Sequence, residues 1–145
     1  MTARPGVGVG VIVCRGDALL LVRRLHHGRG AWAAPGGYLD LGETFVYCAK
    51  REVREETGLE LRDAAVVGVT NDIHPDGKHN VTIWLTGEAE GEAGVAAPDE
   101  IDRVAWFDRA DLPANLYWST RNFVEGRSYP PGAARRLGLG ASHRP

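Results

Sequence analysis

The 23 residues from 37 to 59 read GYLDLGETFVYCAKREVREETGL, and they decide what fold and chemistry the chain is predicted to have. They fit the spacing G-x5-E-x7-R-E-U-x-E-E-x-G-U, in which U is an aliphatic residue. The nine defined places are filled by Gly37, Glu43, Arg51, Glu52, Val53, Glu55, Glu56, Gly58 and Leu59. With average residue usage, a chance match in a chain of this length has a probability on the order of one in ten million or less. We therefore treat the pattern as a functional motif.

The second half of the motif is predicted to form a helix. Residues 44–57 contain neither Gly nor Pro, and Gly58 stands where a left-handed C-cap is expected. Such a helix has about four turns. Val46, Ala49 and Val53 recur at the spacing of one helix face, so we expect them to form its buried stripe.

Three glutamates lie on a different face of this helix. Glu52, Glu55 and Glu56 are related by i, i+3 and i+4, which places their carboxylates within about 100° of arc. Carboxylates this close repel one another, so at least one should resist ionisation. The alternative is an ordinary solvated acidic face. That alternative would favour compensating bases four residues further on, and the complete spaced motif favours metal binding instead.

The chemistry of these residue types points to a metal-assisted phosphate site. Mg²⁺ takes oxygen ligands, usually one or two carboxylates together with substrate phosphates. A bound cation can polarise a phosphoryl oxygen and activate water. We predict that Glu52, Glu55 and Glu56 are metal ligands and catalytic groups, with Glu55 favoured to orient or deprotonate the water. Gly36 and Gly37 let the backbone approach the cation or phosphate closely.

Composition agrees with a single small enzyme domain. The chain has 145 residues, which suits one domain, predicted over residues 1–128 with a loosely ordered tail over 129–145 that is rich in Pro and Gly. The net charge of −2 argues against a nucleic-acid polymer as partner, but not against a nucleotide. The two cysteines lack the spacing of a zinc site, and we see no leader peptide and no long apolar run. These features predict a cytoplasmic protein that does not cross a membrane.

The remaining pattern predicts a mixed sheet between helices. Period-two segments and turn residues predict strands over residues 6–14, 18–23, 64–72, 80–87 and 104–108, and a second helix over residues 116–125. The turn His-Pro-Asp-Gly-Lys joins the third and fourth of these strands as a hairpin. Strands flanked by two helices indicate an α/β sandwich.

The spaced motif matches the Nudix box, and the chain resembles Nudix hydrolases of the MutT type from about residue 4 to 129. The resemblance rests also on RPGVGVGV at 4–11, Pro-Gly-Gly at 35–37, Val-Thr-Ile at 81–83 and LYWSTRNF at 116–123. It is similar in particular to the vertebrate nucleoside triphosphate diphosphatases that act on guanine-type and thiopurine nucleotides. The resemblance implies an α/β/α sandwich and Mg²⁺- or Mn²⁺-dependent hydrolysis of a nucleoside triphosphate to monophosphate and pyrophosphate.

The resemblance also implies roles for four further residues. Arg23 would face the phosphates, and Trp118 would stack on the base. Glu43 and Arg51 would pair and brace the glycine loop against the helix. An ordinary surface cation at Arg23 and a core residue at Trp118 are the alternatives. Related proteins are often homodimers, although no pattern in this chain identifies a self-interface.

Three interpretations of function remain open on the sequence alone. The favoured one is a triphosphate diphosphatase. The second is an ADP-ribose or nucleotide-sugar pyrophosphatase, for which Pro75 lies near a family marker position, and the third is a domain that only senses nucleotides. His26 and His27 could contact phosphate and Glu100 could add a metal ligand, although exposed loop groups are the commoner case.

Overall fold

A computed structural model describes residues 3–140, which form one mixed sheet with three helices. The strands are β1 (Gly6–Arg15), β2 (Ala18–Arg24), β3 (Trp32–Ala33), β4 (Gly36–Tyr38), β5 (Glu60–Ile73), β6 (His79–Glu90), β7 (Ile101–Asp108) and β8 (Ser128–Tyr129). The helices are α1 (Phe45–Thr57), α2 (Trp118–Val124) and α3 (Ala133–Arg136). Among the described residues, none of the helices has the length and apolarity that crossing a bilayer requires.

Strand β1 is central to the sheet. It pairs in parallel with β6 and antiparallel with β2 and β4, and the main strand order is β3-β2-β1-β6-β5-β8. Strand β7 lies beside β2, and β5 and β6 form the predicted antiparallel hairpin. The sheet is therefore mixed, as the sequence predicted.

The two faces of β1 carry different side chains because successive residues alternate across a strand. Val9, Val11 and Val13 lie in the core cluster that α1 covers. Ile12 belongs to the opposite cluster, in which α2 and α3 contribute side chains. Helices thus cover both faces, and the predicted α/β/α sandwich with a mixed sheet is confirmed.

Helix α1 begins and ends as its sequence predicts. The Thr44 hydroxyl accepts a hydrogen bond from the Tyr47 N–H at 3.1 Å, and Gly58 has a φ of 77° as the C-cap. The buried stripe differs from the prediction, because Val46 is 37% exposed and the fully buried Cys48 replaces it. The buried face of α1 therefore includes Glu52 and Glu56 as well as apolar side chains.

The C-terminal segment corrects another prediction. Residues 129–140 are not a loose tail, since β8 pairs with β5 and α3 packs on the sheet. Ala133, Ala134 and Leu139 are buried in the same cluster as α2. Apolar side chains between the Pro and Gly residues pack on the sheet, and the composition of the segment did not indicate this. The rest of the predicted tail, residues 141–145, lies outside the described residues.

Candidate active site

Two glutamates of α1 lie one turn apart and face an open cavity. Glu52 is 8% exposed and Glu56 is 6% exposed. The cavity has a volume of about 710 Å³, within the usual size range of ligand sites. Glu55, at the edge of the same helix face, points outward with its side chain 55% exposed and does not line the cavity.

Burial controls the protonation of both cavity glutamates. It raises the pKa of Glu56 well above its ordinary value, and the charges of Glu52 and Glu100 add to this effect. The Gly36 N–H donates to Glu56 Oε1 at 3.3 Å and opposes the shift. Burial also raises the pKa of Glu52, against the stabilising charge of Arg51. Both carboxyl groups therefore hold a proton more tightly than an exposed glutamate does, chiefly because they are buried.

Arg51 joins the middle of α1 to the preceding loop. Its guanidinium donates to both carboxylate oxygens of Glu43, at 2.6 and 2.9 Å, so the structure brings the predicted pair together. The same group donates to Glu52 Oε1 at 2.8 Å and to the Tyr38 carbonyl at 3.3 Å. One arginine thus fixes both the loop and the orientation of Glu52.

The Glu43–Arg51 pair predicts an acid limit to stability. Hydrogen bonding by Arg51 lowers the pKa of Glu43 from an ordinary 4.5 to about 2. A lowered folded pKa contributes stability above pH 4.5 that is lost as the pH falls towards 2. We expect Glu43→Gln to lower the Tm at pH 6 and to match the wild type near pH 2. A Tm difference that does not change between these pH values would contradict this role.

Two glycines let the loop fit closely around the helix and the sheet. A Cβ on Gly37 would lie 2.6 Å from the carboxyl carbon of Glu52. A Cβ on Gly36 would overlap the backbone carbonyl of Val9 in β1. Both glycines line the acidic cavity. The sequence predicted a close backbone approach to the cation or phosphate, and the groups that these glycines approach closely in the structure are Glu52 and β1.

The structure does not bring Arg23 into the cavity. Its guanidinium donates to both carboxylate oxygens of Asp102, at 2.8 and 2.7 Å, and lies 5.9 Å from the ring centroid of Trp32. Neighbouring residues of a strand point to opposite faces, and the pairing with β7 shifts register between Arg23 and Arg24. The arginine that lines the cavity is Arg24.

Arg24 connects the cavity to the loop that follows β2. Its Nε donates to the carbonyl oxygen of His27 at 2.8 Å, and its guanidinium lies 4.0 Å from the ring centroid of Tyr117. His26 and His27 also line the acidic cavity, and His26 Nε2 donates to the Asp99 carbonyl at 3.0 Å. The basic loop is therefore held against the segment that carries Glu100.

Glu100 lines the cavity, although the sequence favoured an exposed loop carboxylate at this position. It lies immediately before β7 and lines the acidic cavity with Glu52 and Glu56. Its charge contributes to the raised pKa of both glutamates. Only the chain crossing that packs β7 beside β2 brings this carboxylate to α1, so no local sequence pattern could have identified it.

A second, smaller cavity adjoins the first on the face of the sheet that α2 covers. Its volume is about 120 Å³, close to the ~150 Å³ that holds a benzene ring. The floor is formed by Gly8 and Gly10 of β1 and by Trp84 of β6. Alternating glycines in GVGVGV leave the first half of this face of β1 without side chains, which is a sequence feature that could have indicated the cavity.

Tyr117 and not Trp118 provides the aromatic wall of this small cavity. Tyr117 lines it together with Tyr38, and Trp118 lines neither cavity. The polar groups that reach it include Asn80, Thr82 and Ser119. The aromatic side chain at this cavity is therefore the residue before the predicted Trp118, because Tyr117 precedes α2 and its ring lies against the Arg24 guanidinium.

A family model described as the NUDIX domain matches residues 4–126. The chain belongs to the Nudix family. It is 34% identical over 104 residues to the NAD-capped RNA hydrolase NudC of Stutzerimonas stutzeri, a match that covers 72% of the chain and 37% of that protein. It is 33% identical over 103 residues to the NudC of Pseudomonas aeruginosa, covering 71% and 36%. This Nudix chain thus spans little more than a third of those relatives.

Solved structures support the same family. A MutT NUDIX hydrolase from Burkholderia pseudomallei matches with a TM-score of 0.77 and 33% identity, over 82% of this chain and 95% of that one. A bifunctional NMN adenylyltransferase/ADP ribose pyrophosphatase from Francisella tularensis, complexed with AMP and a Mn ion, matches with a TM-score of 0.63 and 22% identity, over 84% and 40%. The second likeness shows a shared Nudix fold.

The chain is accordingly a member of the Nudix hydrolase family. Nudix hydrolases generally use a divalent metal, and the oxygen donors of this cavity suit one. Within residues 3–140, no three metal-binding side chains are assembled as a closed cage. An open site of two buried carboxylates fits Mg²⁺ or Mn²⁺, because substrate phosphates normally complete the coordination of such ions.

Proposed function

We propose that this Nudix hydrolase cleaves a nucleoside triphosphate to the nucleoside monophosphate and pyrophosphate, with Mg²⁺ or Mn²⁺. One observation carries the proposal: a cavity that suits a single planar base shares part of its wall with the acidic cavity. The two share the walls formed by Arg24, Gly36, Gly37, Tyr38 and Lys78. A base in the small cavity would direct its phosphate chain past two cations towards the carboxylates.

Each cavity residue has a distinct part in this proposal. Glu52 and Glu56 would hold the divalent ion, which supplies charge neutralisation and activates water when bound. Glu100 faces the same space and accepts the proton of the attacking water. Glu55 was favoured for this step on sequence, but its exposed carboxylate lies 3.4 Å from Arg51 and outside the cavity. Arg24 binds the phosphate chain, and pyrophosphate leaves.

Exchanging the two adjacent arginines for glutamine tests this assignment. We expect Arg24→Gln to raise KM by about tenfold to a hundredfold, since hydrogen bonds to charged groups contribute about 1.5–3 kcal/mol. Arg23→Gln is the matched control and should leave KM within about threefold, because Arg23 pairs with Asp102 away from the cavity. Steady-state kinetics on the same triphosphate measures both. A larger rise in KM for Arg23→Gln than for Arg24→Gln would show that Arg23 binds the phosphates, as the resemblance implied.

The second candidate is hydrolysis of a dinucleotide or of ADP-ribose. It is supported by the relatives named NAD-capped RNA hydrolase and by the fold likeness to an ADP ribose pyrophosphatase. Pro75, in the turn between β5 and β6, is the residue that favoured this alternative on sequence. The names of the relatives also keep a capped RNA among the substrates to be tested, although the net charge of −2 favours a small nucleotide.

Product identification separates the two candidates. The protein is incubated with Mg²⁺ or Mn²⁺ and a panel of nucleoside triphosphates, NAD, ADP-ribose, nucleotide sugars and NAD-capped RNA. The proposal expects nucleoside monophosphate and pyrophosphate from a triphosphate as the most efficient reaction. AMP released from ADP-ribose or NAD at a higher kcat/KM would overturn it. Tight binding without any turnover would establish the sensor interpretation instead.

A further inference from the structure

Lys78 occupies a fixed position at the end of the hairpin turn between β5 and β6. The Lys78 N–H donates to Asp76 Oδ1 at 2.9 Å, and the Lys78 carbonyl accepts from the His74 N–H at 2.8 Å. The side chain is half-buried. Across residues 3–140, no carboxylate oxygen lies within 4.0 Å of its ammonium group. Its charge is therefore left without a close anionic partner.

The side chain of Lys78 reaches the junction of the two cavities. It lines the acidic cavity and the small cavity alike. Its Nζ lies 5.6 Å from the ring centroid of Tyr38, which also lines both. A cation–π contact of this kind attracts the ammonium group to the face of the ring. Arg24 also lines both cavities, so two cations stand where they meet.

We propose that Lys78 binds the phosphate that joins the nucleoside to the rest of the substrate, an inference that rests on the proposed triphosphatase function. An ammonium group without a carboxylate partner loses no existing ion pair when an anionic phosphate arrives. A protonated ammonium group is a donor without a lone pair, so Lys78 is assigned to substrate binding and not to metal binding. Lys78 thereby sets a preference for nucleotides over uncharged nucleosides in the small cavity.

The chain supplies its own control for this proposal, since it contains only two lysines. Lys50 lies on the exposed side of α1 and lines neither cavity. We expect Lys78→Met to raise KM for the triphosphate about tenfold or more with kcat within about threefold. Lys78→Arg should keep KM within about threefold of wild type. Lys50→Met should behave as wild type.

A chemical footprint tests the contact without relying on turnover. The wild-type protein is treated with a limiting amount of an amine-reactive acetylating reagent. The acetylated fraction of each lysine is then measured by mass spectrometry of the peptides. We expect α,β-methylene dGTP to slow acetylation of Lys78 about fivefold or more and to leave Lys50 unchanged. Inorganic pyrophosphate, which lacks a nucleoside, should protect Lys78 less than the analogue does.

The outcomes separate this inference from the proposed function. If Lys78→Met keeps the wild-type KM and the analogue leaves Lys78 fully reactive, the inference is overturned while triphosphate hydrolysis stands. If the wild type releases AMP from ADP-ribose and no pyrophosphate from triphosphates, the proposed function fails. The same variants and footprint are then measured with ADP-ribose, where an unchanged KM and no protection of Lys78 overturn the inference as well.

Discussion

Replacing Glu56 by glutamine is expected to lower kcat/KM by about a hundredfold or more while the protein stays folded. Loss of a residue that merely supports a metal ligand costs about 10–100-fold, so loss of a proposed ligand should cost at least the upper end of that range. Gln keeps the size of the side chain and an oxygen that can accept the Gly36 N–H. Glu60→Gln, an exposed carboxylate at the start of β5, is the control that should retain activity.

The same substitution is expected to stabilise the metal-free protein. Burial raises the pKa of Glu56 above its ordinary 4.5, so the folded protein holds a proton that the unfolded chain has released. Stability then falls as the pH rises from 4.5 through the folded pKa, and Gln removes this loss. Thermal unfolding at pH 8 in EDTA should give a higher Tm for Glu56→Gln than for wild type. An equal or lower Tm would mean that Glu56 is already compensated by other groups.

Adding a methyl group to Gly37 is the second change with a large expected effect. The new Cβ would lie 2.6 Å from the Glu52 carboxyl carbon, so that carboxylate must move away. We expect kcat/KM to fall about 10–100-fold, as it does when a ligand loses its orientation. The stability change should be small, because the group that moves is the end of a flexible side chain.

A methyl group on the adjacent Gly36 should instead lower mainly the stability of the fold. A Cβ on Gly36 would overlap the Val9 carbonyl, and backbone inside a sheet cannot move aside. Gly36→Ala should therefore lower the free energy of unfolding by about 1–3 kcal/mol or more. Gly94→Ala is the matched control, since its Cβ meets no atom within 4 Å. Denaturant unfolding and kinetics on the three variants test the pair. Equal losses of stability at Gly36 and Gly37 would contradict this division of roles.

Local spacing was enough to predict α1 and its immediate surroundings. The helix boundary near Thr44 and the left-handed Gly58 follow from residues close together in the box, and the Glu43–Arg51 pair is the one that the family resemblance implied. The alternation of β1 and the hairpin of β5 with β6 were predictable for the same reason. Such features depend on helix or strand periodicity and not on where distant segments meet.

Contacts between distant segments limited the prediction of the site. Arg24 lines the cavity in place of the predicted Arg23. Which of the two side chains points towards it depends on the face of β2 and on a register shift with β7, and the residue types do not encode either. Tyr117 in place of Trp118 depends on where α2 begins. Glu55 lies at the edge of a helix face, and only the packed sheet decides that it points outward. Lys78 reaches the cavity through the hairpin, although its turn sequence is ordinary.

The most direct test of the central claim is to locate Mn²⁺ in crystals grown with α,β-methylene dGTP, using anomalous diffraction. The claim predicts a manganese peak between the carboxylates of Glu52 and Glu56, with the phosphates of the analogue completing the coordination and the base against Tyr117. A peak at any other place, or an analogue bound away from these carboxylates, would contradict it.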